Sequence, residues 1–271
     1  MYKVSLHSAA RFFIRSFALF FLYDEVRIYI PQTISASRLE AYRVAHAGGG
    51  INSDTYTNSY EALNHGVESG FTYFEIDFAY TKDNQLVCLH DWEKAFYKNY
   101  GYIPSERLIF KEFLILSKTA GKYTNCTLQG LSKWMIFHPN SVLITDVKGN
   151  NISALKDIFS VIPNAAQRVI PQIYNPKNFS VVKNIGFDSV IWTLYRYNGS
   201  NQSVIYWLSK FDGKVAVTMP KYRAQKGLGH ELKKHNITSY VHTINSETEM
   251  ELYKSNYNIT EIYTDFILPS I

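Results

Sequence analysis

Short apolar runs rich in β-branched and aromatic residues alternate along the chain with stretches that fit helices, and this alternation constrains the fold most. Helical candidates lie at Ser59–Glu68, Ser153–Val161 and Glu247–Ser255, and Ser59 suits the N-cap position of the first. Strands that alternate with helices predict a parallel sheet. The candidate strands are Arg43–His46, Tyr73–Tyr80, Leu86–His90, Val142–Lys148, Val169–Tyr174, Ser189–Leu194, Lys214–Met219, Ser239–Ile244 and Glu261–Asp265.

The number of strand–helix units predicts an α/β fold, a (β/α)8 TIM barrel over residues 41–271. Nine candidate strands are one too many for such a barrel, and we expect Lys214–Met219 to be the extra piece. A doubly wound open sheet is the structural alternative, but the chain has no Gly-x-Gly-x-x-Gly turn to support it. Residues 92–130 show little pattern and are expected to form a loop-rich cap over one face.

Residues 1–40 differ from the rest of the chain and are interpreted as a short helical, apolar N-terminal extension. Arg11 and Arg15 precede an apolar run of 8 residues, Ser16–Tyr23, which is much shorter than the roughly 20 residues that span a bilayer. Three interpretations stay open: a helix that covers one end of the barrel, peripheral membrane contact through residues 11–23, and a signal peptide. A cytoplasmic or peripheral membrane location is favoured, and an exported form stays open.

The composition excludes several classes of protein. A chain with 46% hydrophobic residues is too apolar to be disordered, and a net charge of +5 favours anionic partners without choosing among them. The basic residues are scattered, which argues against nucleic-acid binding. Two cysteines exclude a disulfide scaffold; the apolar surroundings of Cys88 favour a buried free thiol, and a single bridge to Cys126 is the alternative. The oligomeric state is not readable from the sequence.

Ionisable side chains lie at the C-terminal ends of four successive candidate strands, where a barrel places its active site. The first strand ends in His46, and the third runs into His90. Strand alternation places Glu75 and Asp77 on one face of the second, opposite an apolar set that must face the outer helices. The carboxylates are therefore expected to point into the mouth of the barrel.

The fourth of these strands places Asp146 and Lys148 on one face. Three inward carboxylates without a dense cysteine or histidine cluster suit a hard divalent cation, either Mg²⁺ or Ca²⁺. Two flanking histidines suit a general base and a general acid, and a lysine suits a phosphate oxygen. The predicted metal ligands are Glu75, Asp77 and Asp146, the predicted catalytic residues are His46 and His90, and Lys148 is predicted to bind substrate.

Five motifs follow one another in order: His46-Ala-Gly-Gly-Gly50, Asn58-Ser-Tyr-Glu-Ala-Leu63, Tyr73-Phe-Glu-Ile-Asp77, Thr81-Lys-Asp-Asn-Gln-Leu86 and Cys88-Leu-His-Asp91. Together they resemble the glycerophosphodiester phosphodiesterase family of phospholipase-C-like barrels, strongly over residues 42–92 and faintly at residues 241–245 and 262–265. The resemblance implies a TIM barrel that hydrolyses a small-molecule or lipid phosphodiester with a divalent metal. It also implies catalysis by the two histidines and metal binding by Glu75 and Asp77.

The chain departs from the family pattern at three places. Ala47 stands where the family usually has Arg, Thr57-Asn58 where it has Glu-Asn, and Asp146-Val-Lys148 where it has Glu-x-Lys. Arg196, together with Lys148, is expected to compensate for the missing arginine. The first and third departures are similar to the sphingomyelinase D-like branch of these barrels. The substrate is therefore expected to be a glycerophosphodiester or a phospholipid head-group diester.

Three alternatives stay open beside a simple hydrolase. One is a sphingomyelinase D-like phospholipase, and another is a catalytically inactive barrel that binds a diester. A third is a transferase of a phosphoryl-alcohol group, for which aromatic side chains could stack on sugar rings, although such residues are mostly packing. The aromatic residues in question are Trp192, Tyr195, Tyr197 and Trp207. The resemblance further implies a cyclic phosphate wherever the nucleophile is the substrate's own hydroxyl.

Overall fold

Eight parallel strands close into a barrel in a computed structural model that describes Ile34 and residues 36–270. They are β2 (Val44–Ala45), β3 (Tyr73–Tyr80), β5 (Val142–Val147), β6 (Val169–Ile173), β7 (Ser189–Thr193), β8 (Gly213–Met219), β9 (Thr238–Val241) and β10 (Glu261–Thr264). The strands follow one another around the barrel in this order, and β10 pairs with β2 to close it. The predicted TIM barrel is confirmed.

Helices surround the barrel between its strands. They are α1 (Tyr60–Glu68), α2 (Lys94–Tyr100), α3 (Phe110–Thr119), α4 (Leu128–Phe137), α5 (Asn151–Val161), α6 (Ala165–Arg168), α7 (Phe179–Ile185), α8 (Asn201–Leu208), α9 (Lys221–Gln225), α10 (Leu228–Lys234) and α11 (Glu247–Tyr257). The three predicted helices are present as α1, α5 and α11. Ser59 caps α1 as expected, because its Oγ accepts a hydrogen bond from the Ala62 amide at 3.2 Å.

Strand register fixes which side chains share a level inside the barrel. Asp77 of β3 is the direct neighbour of Asp146 on β5, and Glu75 is the neighbour of Ile144. Toward the N-terminal ends of the strands from Asp77 and Asp146, Ile144, Ile170 and Tyr240 belong to a buried apolar cluster from several strands. The polar residues therefore lie toward the C-terminal ends of the strands, above an apolar floor.

The prediction of which strand is extra was wrong. Gly213–Met219 is a full member of the barrel, since β8 pairs in parallel with both β7 and β9. The piece outside the closed barrel is β4 (Leu86–Cys88), which pairs antiparallel with β3. The tight turn between them, in which the Thr81 amide donates to the Gln85 carbonyl at 2.9 Å, sends the chain straight back.

Residues 92–130 were expected to be rich in loops, but the structure places α2, α3 and the start of α4 there. This insertion has a small apolar cluster of its own that includes Leu89, Phe96 and Phe113. A disulfide bond joins Cys88 to Cys126, so the preference for a buried free thiol was also wrong. Isolated Cys residues in apolar surroundings do not reveal that the fold brings them together.

The predicted N-terminal extension lies mostly outside the described residues, including the segment 11–23. Its described end forms β1 (Ala36–Arg38), which pairs in parallel with the first residues of β8, Gly213–Val215. Leu39 is buried within the apolar cluster inside the barrel. Among the helices that the structure describes, none has the length and apolar character needed to cross a bilayer.

Candidate active site

A cavity of about 370 Å³ opens at the C-terminal ends of the barrel strands. All seven residues that the sequence predicted for the site line this cavity: His46, Glu75, Asp77, His90, Asp146, Lys148 and Arg196. Tyr56, Tyr174, Thr193, Tyr195, His242 and Thr243 also line it and were not predicted as site residues. The structure thus brings the predicted residues together and adds a mostly aromatic wall.

Three carboxylates converge at the base of the cavity. One oxygen each of Glu75, Asp77 and Asp146 lies within 4.8 Å of the others, and all three residues are buried. β3 supplies the first two because residues i and i+2 share a face of a strand. β5 supplies the third because its Asp146 is the register neighbour of Asp77.

Burial and the repulsion between neighbouring carboxylates disfavour the ionised forms of these side chains, because too little positive charge lies nearby to balance them. Burial, followed by the negative charge of Asp77, raises the pKa of Glu75 to about 8. Burial and Asp77 also raise the pKa of Asp146. Burial acts in the same direction on Asp77, but Lys148 and the two histidines lower its pKa below the usual value. A divalent cation among these oxygens would supply the missing charge, and oxygen-only donors suit Mg²⁺ or Ca²⁺.

His46 starts a short 3-10 turn that directly follows β2. Its Nδ1 lies 2.9 Å from Asp265 Oδ1 in a buried pair. Burial lowers the pKa of His46, but the hydrogen bond to Asp265 and the charges of Glu75, Asp265 and Asp77 outweigh it and raise the pKa to about 9. The next residue, Ala47, has φ +50° and donates its amide to Glu75 Oε2 at 2.9 Å. The turn therefore fixes a histidine and a carboxylate together.

His90 follows β4 and reaches the same cavity from the other side. Its Nδ1 lies 2.7 Å from Oδ2 of Asp91, and its side chain is 31% exposed. The ring of Tyr56 stands edge-on to both histidines, with centroid distances of 4.5 Å to His46 and 5.3 Å to His90. Because a carboxylate occupies Nδ1 in both rings, Nε2 is the nitrogen of each that can exchange a proton with a substrate.

Two cations lie beside the carboxylate cluster. Lys148 Nζ is 3.1 Å from Asp77 Oδ1 and 3.8 Å from Asp146 Oδ2. Arg196 stacks over the ring of Tyr174 at 4.5 Å and donates to the Lys148 carbonyl at 3.1 Å. The Tyr174 hydroxyl in turn donates to Asp146 Oδ1 at 2.5 Å. This chain of contacts places Arg196 at the rim, on the Lys148 side of the cavity.

Four residues that hold the site in shape were not predicted from the sequence. Asp265 follows the last strand, and the rule that singled out the other strand-end residues would also have found it. Asn58 accepts from the Asp77 amide at 2.9 Å and donates to its carboxylate at 3.0 Å. Tyr174, which ends the fifth predicted strand, carried the same strand-end signal. Tyr56 lies in a loop and carried no signal.

The aromatic residues that were weighed as a sugar-binding platform separate into two groups. Trp192 is fully buried, and Tyr197 and Trp207 pack against the main apolar core. Tyr195 lines the cavity, where its hydroxyl donates to the His242 carbonyl at 2.6 Å. Of the four, Tyr195 alone faces the cavity.

Residues 47–105 match the sequence profile of the Glycerophosphoryl diester phosphodiesterase family, which supports the predicted resemblance over that segment. No curated protein matches the chain. Solved structures with the same fold include a glycerophosphodiester phosphodiesterase from Parabacteroides distasonis, with 18% identity, a TM-score of 0.61, and coverage of 84% of this chain and 94% of that one. Another, from Thermotoga maritima, has 16% identity and a TM-score of 0.62, and covers 84% and 96% of the two chains. A phosphodiesterase from Oleispira antarctica, solved with its product sn-glycerol-3-phosphate, has 16% identity and a TM-score of 0.59, and covers 83% and 93%.

Proposed function

We propose that this chain, whose residues 47–105 match the glycerophosphoryl diester phosphodiesterase family, is a metal-dependent phosphoric diester hydrolase. The family match and the shared barrel support the reaction class. The observation that carries the proposal is the convergence of Glu75, Asp77 and Asp146 within 4.8 Å in a cavity that the two predicted histidines, His46 and His90, also line. The proposed substrate is a glycerophosphodiester or a phospholipid head-group diester.

In the proposed mechanism, the phosphate lies above the carboxylate cluster, between His46 and His90. Glu75, Asp77 and Asp146 would hold the cation, which when bound supplies Lewis-acid stabilisation of the phosphate charge. Lys148, beside the carboxylate cluster, and Arg196, at the rim next to it, contribute further positive charge to the phosphate oxygens. Together they take the place of the arginine that Ala47 replaces.

The two histidines move the protons. Glu75 and Asp77 contribute to the raised pKa of His46, and a cation held by these carboxylates would lower that pKa. His46 Nε2 then accepts the proton of the nucleophile, which is water or a neighbouring hydroxyl of the substrate, while Asp265 stabilises the imidazolium through Nδ1. His90 Nε2 donates a proton to the leaving alkoxide, and Asp91 holds its ring. If the substrate's own hydroxyl attacks, the first product is a cyclic phosphate, which water then opens.

Removing either histidine tests these roles. We expect His46→Ala and His90→Ala each to lower the turnover of a glycerophosphodiester by about 10²–10⁴-fold, the usual contribution of a general acid or base. Turnover is measured by release of the phosphate-containing product. The matched control is His65→Ala, because His65 is an exposed histidine on α1, and its turnover should equal that of the unmodified chain.

A second variant at His46 separates loss of catalysis from loss of folding, because His46 is buried against Asp265 and its removal can destabilise the fold. His46→Gln keeps a hydrogen-bond donor at this place and should fold, yet it should be as inactive as His46→Ala because an amide does not accept the proton. Near-normal turnover in both His46→Gln and His90→Ala would show that these residues do not carry the proton transfers.

A further inference from the structure

The insertion between β4 and α4 is a closed module on the barrel. The Cys88–Cys126 disulfide joins its two ends at the base. Asn125 strengthens the same junction, since its side chain donates to the Cys88 carbonyl at 2.9 Å and to the Thr57 carbonyl at 2.8 Å. Phe96 and Phe113 are fully buried within it. The module is thus held rigidly and can present a surface of fixed shape.

That surface exposes large apolar side chains around the connection between α2 and α3. Tyr97 is 57% exposed, Ile103 is 58% exposed, and Tyr102 and Ile109 are also exposed. Four such residues lie within a span of thirteen residues. Single exposed apolar residues are normal, but several exposed apolar side chains on one small module indicate a surface that a membrane or another molecule covers. We call Tyr97, Tyr102, Ile103 and Ile109 the apolar tip.

The same module carries a net positive charge. Between residues 89 and 127 there are six basic and four acidic residues, a net charge of +2. The basic residues are Lys94, Lys98, Arg107, Lys111, Lys118 and Lys122. In the part of the chain that the structure describes, Lys122 pairs with Asp54, and the other five form no ion pair. The module that carries the apolar tip therefore also carries positive charge that is open to an anionic partner.

The module lies beside the mouth of the cavity. Lys98 Nζ donates to the Thr55 carbonyl at 2.7 Å, and the Tyr123 hydroxyl donates to Asp54 at 2.8 Å. Both contacts hold the loop that carries Tyr56, which lines the cavity. A surface that engages the module would therefore be brought next to the opening of the active site.

We infer that the apolar tip and its surrounding cations dock the protein on an anionic lipid bilayer. Exposed Ile side chains suit the acyl boundary, Tyr rings suit the interface, and Lys and Arg suit anionic head groups. The inference concerns binding and stands apart from the proposed hydrolysis. It uses surface residues that the mechanism does not use.

Sedimentation with vesicles tests the docking on the full chain. The vesicles are pure phosphatidylcholine, or equal parts of phosphatidylcholine and phosphatidylserine. The unmodified chain is expected to bind the anionic vesicles at least about tenfold more tightly, and added salt should weaken that binding. Ile103→Asp should weaken it by about tenfold, the effect of losing one buried aliphatic side chain. Arg107→Glu with Lys111→Glu should do the same through charge.

Matched controls separate the module from the rest of the surface. Phe137→Asp changes a more exposed apolar residue, 81% exposed at the end of α4, and Lys156→Glu reverses an exposed charge on α5. Both should leave vesicle binding unchanged. Unmodified binding in the Ile103 variant and the charge variant would overturn the inference, as would equal binding to both vesicles. Loss of a dimer in the Ile103 variant would assign the tip to a second copy instead.

Turnover of a soluble glycerophosphodiester keeps the two proposals distinct. The module variants should retain it, because their residues lie outside the cavity lining. If the unmodified chain turns over no diester, the proposed function fails while vesicle binding still decides the docking.

Discussion

Glu75→Gln is expected to lower phosphodiester turnover by about 10³-fold, because the cation that the three carboxylates hold stabilises transition-state charge by several kcal/mol. Glutamine keeps the size of the side chain and can still accept the hydrogen bond that Ala47 donates to Glu75. It removes only the negative charge. A loss of this size would therefore report on the charge of the cluster rather than on its packing.

In the absence of metal, Glu75→Gln is expected to raise the stability of the folded chain, although it lowers turnover. Burial and Asp77 raise the pKa of Glu75 to about 8 in the folded chain, above the ordinary value of 4.5. An acidic group whose pKa is higher in the folded chain than in the unfolded chain destabilises the fold once the pH exceeds its pKa in the unfolded chain. The loss of stability is complete above its pKa in the folded chain. In the presence of a chelator, the melting temperature of Glu75→Gln should thus be higher than that of the unmodified chain. The difference should grow as the pH rises from 4.5 to 8. The difference should vanish at lower pH, where both side chains are neutral.

A control variant and the response of the melting temperature to metal distinguish a role in metal binding from a structural role of Glu75. Glu68→Gln changes an exposed glutamate on α1 and should leave both turnover and melting temperature unchanged. Added Mg²⁺ or Ca²⁺ should raise the melting temperature of the unmodified chain and have a much smaller effect on Glu75→Gln. A Glu75→Gln protein that is inactive and also less stable in chelator would indicate a structural role for this carboxylate.

Cys88→Ala with Cys126→Ala is expected to lower the free energy of unfolding by about 4 kcal/mol, the chain-entropy value for a loop of this length. The bond joins residues 38 positions apart. Without it, the unfolded chain regains the freedom of the whole insertion, and in the folded chain both sites lose a buried sulfur. The measurement is urea unfolding of both proteins under oxidising conditions.

A reductant supplies the internal control for the disulfide. It should lower the stability of the unmodified chain toward that of the double variant and leave the double variant unaffected. Thiol titration of the denatured, unreduced chain should find no free thiol, since the chain has two cysteines and both are in the bond. Two titratable thiols would contradict the bond.

The barrel and the core of the site were predictable because they depend on strand periodicity. Alternation along β3 places Glu75 and Asp77 on one face, and strand ends gather at one rim of a barrel. The same rule applied to His46, Asp146 and Lys148, which all line the cavity. It also extends to Asp265, which follows the last strand but was not among the predicted residues.

Other features depend on contacts between segments far apart in the chain. The antiparallel turn of Leu86–Cys88 and the full membership of Gly213–Met219 in the barrel follow from pairing partners, which a single strand's pattern does not specify. The Cys88–Cys126 bond depends on where the insertion returns to the barrel. The place of Tyr56 between the two histidines depends on the path of a loop.

The central claim is that this cavity hydrolyses a phosphodiester with a divalent cation held by Glu75, Asp77 and Asp146. Its most direct test is the turnover of a panel of glycerophosphodiesters, lysophospholipids and sphingomyelin by the chelated chain, before and after addition of Mg²⁺ or Ca²⁺. We expect no turnover after chelation and recovery with at least one of the two ions on at least one substrate. Turnover that survives exhaustive chelation, or its absence with both ions on every substrate, would contradict the account.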